Sequence, residues 1–437
     1  MRFLNAIFLV SFVFLFFIIP SVFALNFGSS KVTIERVWTI NSTTSGSINF
    51  NGSLVINNSN QKIVSITTMP NMTTVSSSDG QLRLLYKSTM MGAGSLVLRA
   101  IVVVESDYDT KIQGDSFPPS TGSLSTTNKT SFNSAIADQA KQLEDKNSSL
   151  QTIANLVNWV HGYVTYDLSY WGKASPATTV FDQKRGVCVE YTHLLISMAR
   201  SLGFQTRYVS GYVLGNSWQS HAWAQIYVPN DGWLDADPTF GEVGILDSSH
   251  VAIEYGTDQS DVYDTLLSNN GASLSVNDSV SQTSITDNSK GATLSLAIDN
   301  SSAITSSSSS VFVNISNTRS SEYLFGTFDL FSDDKYFKRQ NSIILLKPGE
   351  LRNLSYPLDR SSFQSGYSYT LPFSGSFNDA KMNSTVTILK PQSGINPNGS
   401  SSSSSSGASS SCPIGFLLFV FLGIGIVVSN SKKYTKS

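Results

Sequence analysis

Cysteine is almost missing from this chain, with two in 437 residues. Cys412 lies between a serine run and an apolar tail, so Cys188 is the one thiol of the expected folded exterior part, and a disulfide-stapled scaffold is excluded. An unpaired cysteine is a poor structural choice in an oxidising space, which favours a chemical role for it. Histidine is also scarce. His161, His193, His221 and His250 show no short paired spacing with cysteine, so a zinc motif is not read, and neither a metal ion nor a cofactor is expected. A surplus of positive charge is lacking too: 29 Lys and Arg face 31 Asp and Glu, so neither nucleic acid nor an anionic surface is expected as a partner.

What is present concentrates between Arg185 and Thr239. Leu194, Leu195, Met198 and Leu202 recur at three- and four-residue steps, which predicts a helix from Val189 to Leu202 that Gly203 stops. Cys188 then sits at the helix N-terminus, where partial positive charge and free backbone N–H groups favour a thiolate and can hold an oxyanion. Phe204 to Val213 and Ser220 to Val228 alternate as strands do, with Ala222, Ala224, Ile226 and Val228 on one face and His221, Trp223, Gln225 and Tyr227 on the other. Residues 229–232 turn the chain, so Trp233 to Asp237 is expected to run back antiparallel and bring Asp237 near His221. An aspartate on one imidazole nitrogen leaves the other for sulfur.

These residues resemble the transglutaminase-like superfamily of papain-fold cysteine enzymes. The resemblance rests on RGVC at 185–188, LLxxxARSLG at 194–203, RYVSGYV at 207–213, HAWxxxY at 221–227 and GWxxxDPT at 232–239, with NWVHGYVTYD at 158–167 upstream. It covers roughly residues 150–262 and implies Cys188 as nucleophile, His221 as base and then acid, and Asp237 as the group that orients His221. Val189 stands where that family often has glycine after the cysteine. His161, His193 and His250 are read as packing or hydrogen-bonding residues, and Asp247, Asp258 and Asp261 as solvated loop acids rather than calcium ligands. Trp171, Trp218 and Trp223 are read either as cleft walls or as core.

Around this centre the expected fold class is multidomain α+β: a papain-like core flanked by two antiparallel β-domains, with a signal peptide and a C-terminal membrane helix. Residues 1–24 read as the signal peptide, with an uncleaved anchor as the competing reading. Short strand-like runs predict an N-terminal β-domain over 25–115, followed by a linker over 116–130, and Asn133 to Lys146 reads as a helix. The transglutaminase-like domain is placed at 131–268 and a C-terminal β-sandwich at 271–390. A serine-rich stalk spans 391–411, an apolar segment 413–428 and a basic tail 429–437. The apolar segment is read as a membrane span or as a sorting signal exchanged for a lipid. Twelve Asn-x-Ser/Thr sites, from Asn41 to Asn398, skip residues 148–276 altogether, as suits a bare catalytic domain between glycosylated β-domains.

The expected protein is thus a surface-anchored enzyme that cleaves or transfers amide acyl groups of a protein or peptide substrate. The alternative is an adhesion or scaffold protein that keeps the fold without the chemistry.

Overall fold

The computed structural model describes residues 28–115, 126–286, 288–298, 309–359, 361 and 363–389. The expected signal peptide, stalk, apolar segment and basic tail lie outside the described residues. Among the described residues no helix is long and apolar enough to cross a membrane.

The chain begins with six strands: β1 (Ser29–Ser42), β2 (Gly46–Ile56), β3 (Gln61–Met69), β4 (Thr73–Ser76), β5 (Gln81–Met90) and β6 (Gly94–Ser106). Alternation decides which face each one buries. β1 turns Val32, Ile34, Trp38 and Ile40 inward, and β6 answers with Leu98, Ala100, Val102 and Val104. The sheets built on β1–β6 and β2–β5 share this core, where Trp38 packs 5.2 Å from Phe50.

Four helices follow: α1 (Ser134–Leu143), α2 (Ser149–Tyr163), α3 (Ala177–Gln183) and α4 (Cys188–Ser201). Asn133 caps α1 by accepting from the Ile136 N–H at 3.0 Å, and Ser148 caps α2 by accepting from Gln151 at 2.8 Å. Two-residue strands β7 (Thr165–Tyr166) and β8 (Arg185–Gly186) pair in parallel and bring the α2 exit beside the start of α4. Next come β9 (Thr206–Leu214), β10 (Trp218–Val228), β11 (Gly232–Asp237), β12 (Glu242–Val243) and β13 (Val251–Gly256), an antiparallel sheet in the order β12-β11-β10-β9-β13. The β10–β11 hairpin turns where Asn230 and Gly232 take positive φ. Helix α4 is buried nearly all round, between the other helices and the Ala222, Ala224 and Ile226 face of β10.

The chain then returns to its first domain. β14 (Thr265–Ser268) pairs with β2, and β15 (Ser273–Thr286) runs beside β1 from end to end. The expected boundaries at 268 and 271 are therefore corrected, because residues 265–286 complete the two N-terminal sheets. Arg36 marks the closure. Its guanidinium points into the inward face of β1, where it donates to Asp264 at 3.2 Å and to Asp278 at 3.1 Å, both on the returning segment. A buried cation needs such partners.

Seven further strands form the C-terminal part: β16 (Ala292–Ile298), β17 (Ser309–Asn317), β18 (Leu324–Phe331), β19 (Gln340–Leu346), β20 (Leu351–Leu358), β21 (Ser368–Phe377) and β22 (Ala380–Leu389). Sheets β16-β17-β20 and β19-β18-β21-β22 enclose Phe328, Phe337, Phe373 and Phe377. This part locks onto the central domain through Asn158 of α2, whose side chain donates to the Ile343 carbonyl at 3.0 Å and accepts from its N–H at 2.7 Å. Thr327 adds a bond to the Gly241 carbonyl at 3.0 Å.

Candidate active site

The local sequence explains how the thiol is presented. Val187 precedes α4 in extended backbone and has no side-chain acceptor, so it cannot cap the helix. Glu190, fully buried in the first turn, compensates: one carboxylate oxygen accepts from the Val187 N–H at 3.0 Å and the other from the Ser175 N–H at 2.7 Å. That bidentate tie fixes the segment entering α4 while the N–H groups of the first turn lack an intrahelical acceptor. Cys188 is buried there at 3% exposure.

The histidine comes from β10. Thr192, one turn into α4, places its hydroxyl 2.8 Å from the Cys188 carbonyl and 3.1 Å from the Ala222 carbonyl, which ties the cysteine helix to the strand one residue past His221. Pairing between β10 and β11 ends at Ala224 opposite Ala236, so the ladder stops short of His221. Nε2 of His221 lies 2.6 Å from Oδ2 of Asp237, and the Cys188 sulfur acts on the same ring, which leaves Nδ1 as the atom to face it. The other Asp237 oxygen accepts from the N–H groups of Thr239 at 2.7 Å and Phe240 at 3.3 Å. Cys188, His221 and Asp237 are thus brought together as the spacing suggests.

Electrostatics follow from this contact. Burial disfavours a charged His221, yet the Asp237 carboxylate and the Cys188 sulfur together outweigh it and push the ring up to about 9. Burial likewise opposes a charged Asp237, but His221, with help from His250, holds it far below the ordinary carboxylate range. Tyr166, on the strand facing the start of α4, is pushed up to about 12 by burial and then by the Cys188 sulfur beside it.

Sequence reasoning missed the depth of this cluster. His250 is fully buried, with Nε2 at 3.0 Å from Asp237 Oδ2 and Nδ1 at 2.9 Å from Asp247 Oδ1. Asp247 also accepts from the Ser249 N–H at 3.0 Å, and its own N–H donates to Glu242 at 3.1 Å. Burial, followed by the Asp247 charge, pushes Glu242 well above the ordinary carboxyl range, and its second oxygen is buried without a hydrogen-bond partner. Asp247 at 8% exposure and Asp258 at 2% are therefore not the solvated loop acids expected. The signal in the sequence was an acid three residues before a histidine, inside a segment otherwise apolar or small. His161 and His193 hydrogen-bond the Pro238 and Ser175 carbonyls, at 3.2 and 2.9 Å.

Two triplets could supply metal ligands, His221–Asp237–His250 and Glu242–Asp247–His250, with donor atoms within 4.8 Å of one another. Direct hydrogen bonds between histidine nitrogens and carboxylates already link both sets. Of the three tryptophans, Trp223 is core at 0% exposure and stacks against His221 at 6.0 Å, whereas Trp171 is 58% exposed. Trp171 and Trp218 line a cavity of about 590 Å³ with Tyr212, Tyr263 and Ser220, the neighbour of His221 in the chain.

Residues 136–238 match the family model described as the transglutaminase-like superfamily. An uncharacterised protein of Mycobacterium leprae is 30% identical over 148 residues, covering 32% of this chain and 52% of that one. A protein-glutamine gamma-glutamyltransferase of Pseudomonas aeruginosa is 28% identical over 124 residues, covering 24% of this chain and 18% of that enzyme. The match therefore spans about half or less of the length of these relatives. A solved structure of a candidate cysteine protease from Cytophaga hutchinsonii is 18% identical, with a TM-score of 0.44, covering 60% of this chain and 95% of that one. The segment carrying Cys188, His221 and Asp237 thus matches a transglutaminase-like domain over residues 136–238.

Proposed function

We propose that the chain is a thiol acyl-transfer enzyme acting on carboxamides of proteins or peptides. The observation that carries this reading is the His221 ring, paired with Asp237 at 2.6 Å and acted on by the Cys188 sulfur at the first turn of α4. Cys188 attacks the amide carbonyl carbon as a thiolate, its proton held by His221. The tetrahedral oxyanion is held by N–H groups of the α4 first turn, and His221 returns the proton to the departing nitrogen as the C–N bond breaks. The resulting thioester passes its acyl group to water, as in a peptidase or amidase, or to a primary amine, as in a crosslinking transglutaminase. The Pseudomonas relative's name favours the amine. Aromatic Trp171 and Trp218, which line a cavity with Ser220, suit an extended peptide. Tethering at the cell surface, through residues 413–428, belongs to the same proposal.

The test uses a glutamine-containing peptide with and without a fluorescent primary amine, following ammonia release and amine incorporation. Cys188→Ala is expected to abolish both, and Asp237→Ala to retain a small fraction, since orientation is impaired while the nucleophile remains. Turnover by Cys188→Ala equal to that of wild type would refute the mechanism. Alkylation separates the enzyme from the scaffold alternative: iodoacetamide should label Cys188 more slowly in His221→Ala, whereas an inert scaffold thiol would react at the same rate in both.

A further inference from the structure

We infer that His250 is a positioning residue for this site: a buried imidazolium bridging Asp237 and Asp247, it aims the Asp237 carboxylate at His221 and limits how strongly that carboxylate draws a proton onto the His221 ring. The inference rests on the thiol-imidazole reading above.

Hydrogen-bond bookkeeping carries it. A neutral imidazole has one N–H, yet each His250 nitrogen faces a carboxylate oxygen, at 3.0 Å on Asp237 and 2.9 Å on Asp247. With both carboxylates held ionised, a neutral ring would set a lone pair against one of them in a fully buried place, and the doubly protonated ring satisfies both. Tyr108, Trp223 and Phe240 fix its plane, each meeting it edge-on at 5.3 to 6.2 Å. The geometry then couples the two histidines through one atom. Asp237 Oδ2 accepts from His221 at 2.6 Å and from His250 at 3.0 Å, so it serves two donors while their ring centres lie 5.5 Å apart.

The titratable groups around His250 are accounted for from every side. Asp237 faces it from the end of β11, Glu242 from β12, His221 from β10 and Asp247 from its own segment. Tyr108 packs against it from the stretch after β6, its hydroxyl turned away to Gln61 at 3.1 Å. Burial, and then Asp247, keep Glu242 toward its neutral form. The cation of His250 is thus matched by Asp237 and Asp247, and His221 competes for a carboxylate already partly neutralised. Removing that cation strengthens the hold of Asp237 on the His221 proton.

Full-length chain labelled with ¹⁵N-histidine tests this by NMR, with each of the four histidines assigned through loss of its signal on substitution to Gln. Wild-type His250 should show both ring nitrogens protonated through pH 8. His250→Gln keeps an amide donor in the Nε2 position while losing the charge, so the His221 midpoint should rise by about one pH unit. His250→Asn instead keeps the Asp247 contact and loses that to Asp237, and should slow iodoacetamide labelling of Cys188 at pH 7 about tenfold. A singly protonated His250 in wild type, or a His221 midpoint unmoved in His250→Gln, overturns the inference. The wild-type spectrum decides the charge state even where a variant fails to fold. Equal labelling of wild type and His221→Ala would instead refute the thiol-imidazole reading, whatever the state of His250.

Discussion

The protonation of His221 makes stability fall with rising pH, by an amount the structure sets. Carried from an ordinary 6.5 up to about 9, the folded ring holds its proton roughly 300-fold more tightly than the unfolded one, which is about 3 kcal/mol. A value raised on folding stabilises in full below 6.5 and loses that stabilisation as pH climbs through about 9. Asp237 is the opposite case. Held below its ordinary 3.8, it stabilises above that value and ceases to as pH falls beneath it. Both describe one ion pair, so the plateau lies between about pH 4 and pH 6.5, and the alkaline limb is shared by His221 and His250, which is also raised on folding. At about 2 °C per kcal/mol for a chain of this size, the His221 share should move thermal unfolding down roughly 6 °C between pH 6 and pH 9.5. His221→Gln keeps an amide donor near Asp237 but cannot titrate, so its unfolding temperature should fall less steeply over that range, the remaining slope belonging to His250. Scanning calorimetry of both proteins in matched buffers makes the comparison, and an identical slope in the two would refute the argument.

Glu190→Ala leaves the buried N–H groups of Ser175 and Val187 without acceptors, so urea denaturation should show a loss of about 2–4 kcal/mol, with slower alkylation of Cys188. Gly211→Ala would set a methyl group 2.1 Å from the Val251 carbonyl and 2.9 Å from Trp223, forcing β9 and β13 apart. It should cost about 1–3 kcal/mol, read as a lower melting temperature. Trp171→Ala, at an exposed ring, should leave stability within about 0.5 kcal/mol of wild type and leave iodoacetamide labelling unchanged. Peptide turnover should nonetheless show a higher KM, since that ring lines the cavity beside Ser220.

The parts legible in the sequence were those written in local periods. Leu194, Leu195 and Met198 mark the buried stripe of α4, and the alternation from Ser220 to Val228 assigns His221 and Trp223 to the face opposite Ala222, as observed. The turn at Asn230 and Gly232 brings Asp237 back toward His221. Short or edge elements were harder to see. β4 is four exposed residues, and β20 carries Pro357, which suits an edge strand but weakens the strand signal. The partner of β15 was hidden for another reason: nothing local in Ser273 to Thr286 states that it lies beside residues 29–41, more than two hundred positions earlier. His250 was hidden in the same way, because its role depends on a carboxylate thirteen residues back meeting it in a fold the local pattern does not describe.

The return of β14 and β15 makes the thiol domain an insert within a host sandwich. Both of its ends are moored in neighbouring sheets. A fragment cut at residues 131–268 would carry away β14 and strip β2 of its flanking partner, so a host rebuilt by joining the end of β6 to the start of β14 is the natural counterpart to make. That arrangement makes the central domain a cassette: it leaves the host after β6 and returns to it at β14, and the outer strands can keep their places while the inserted domain changes.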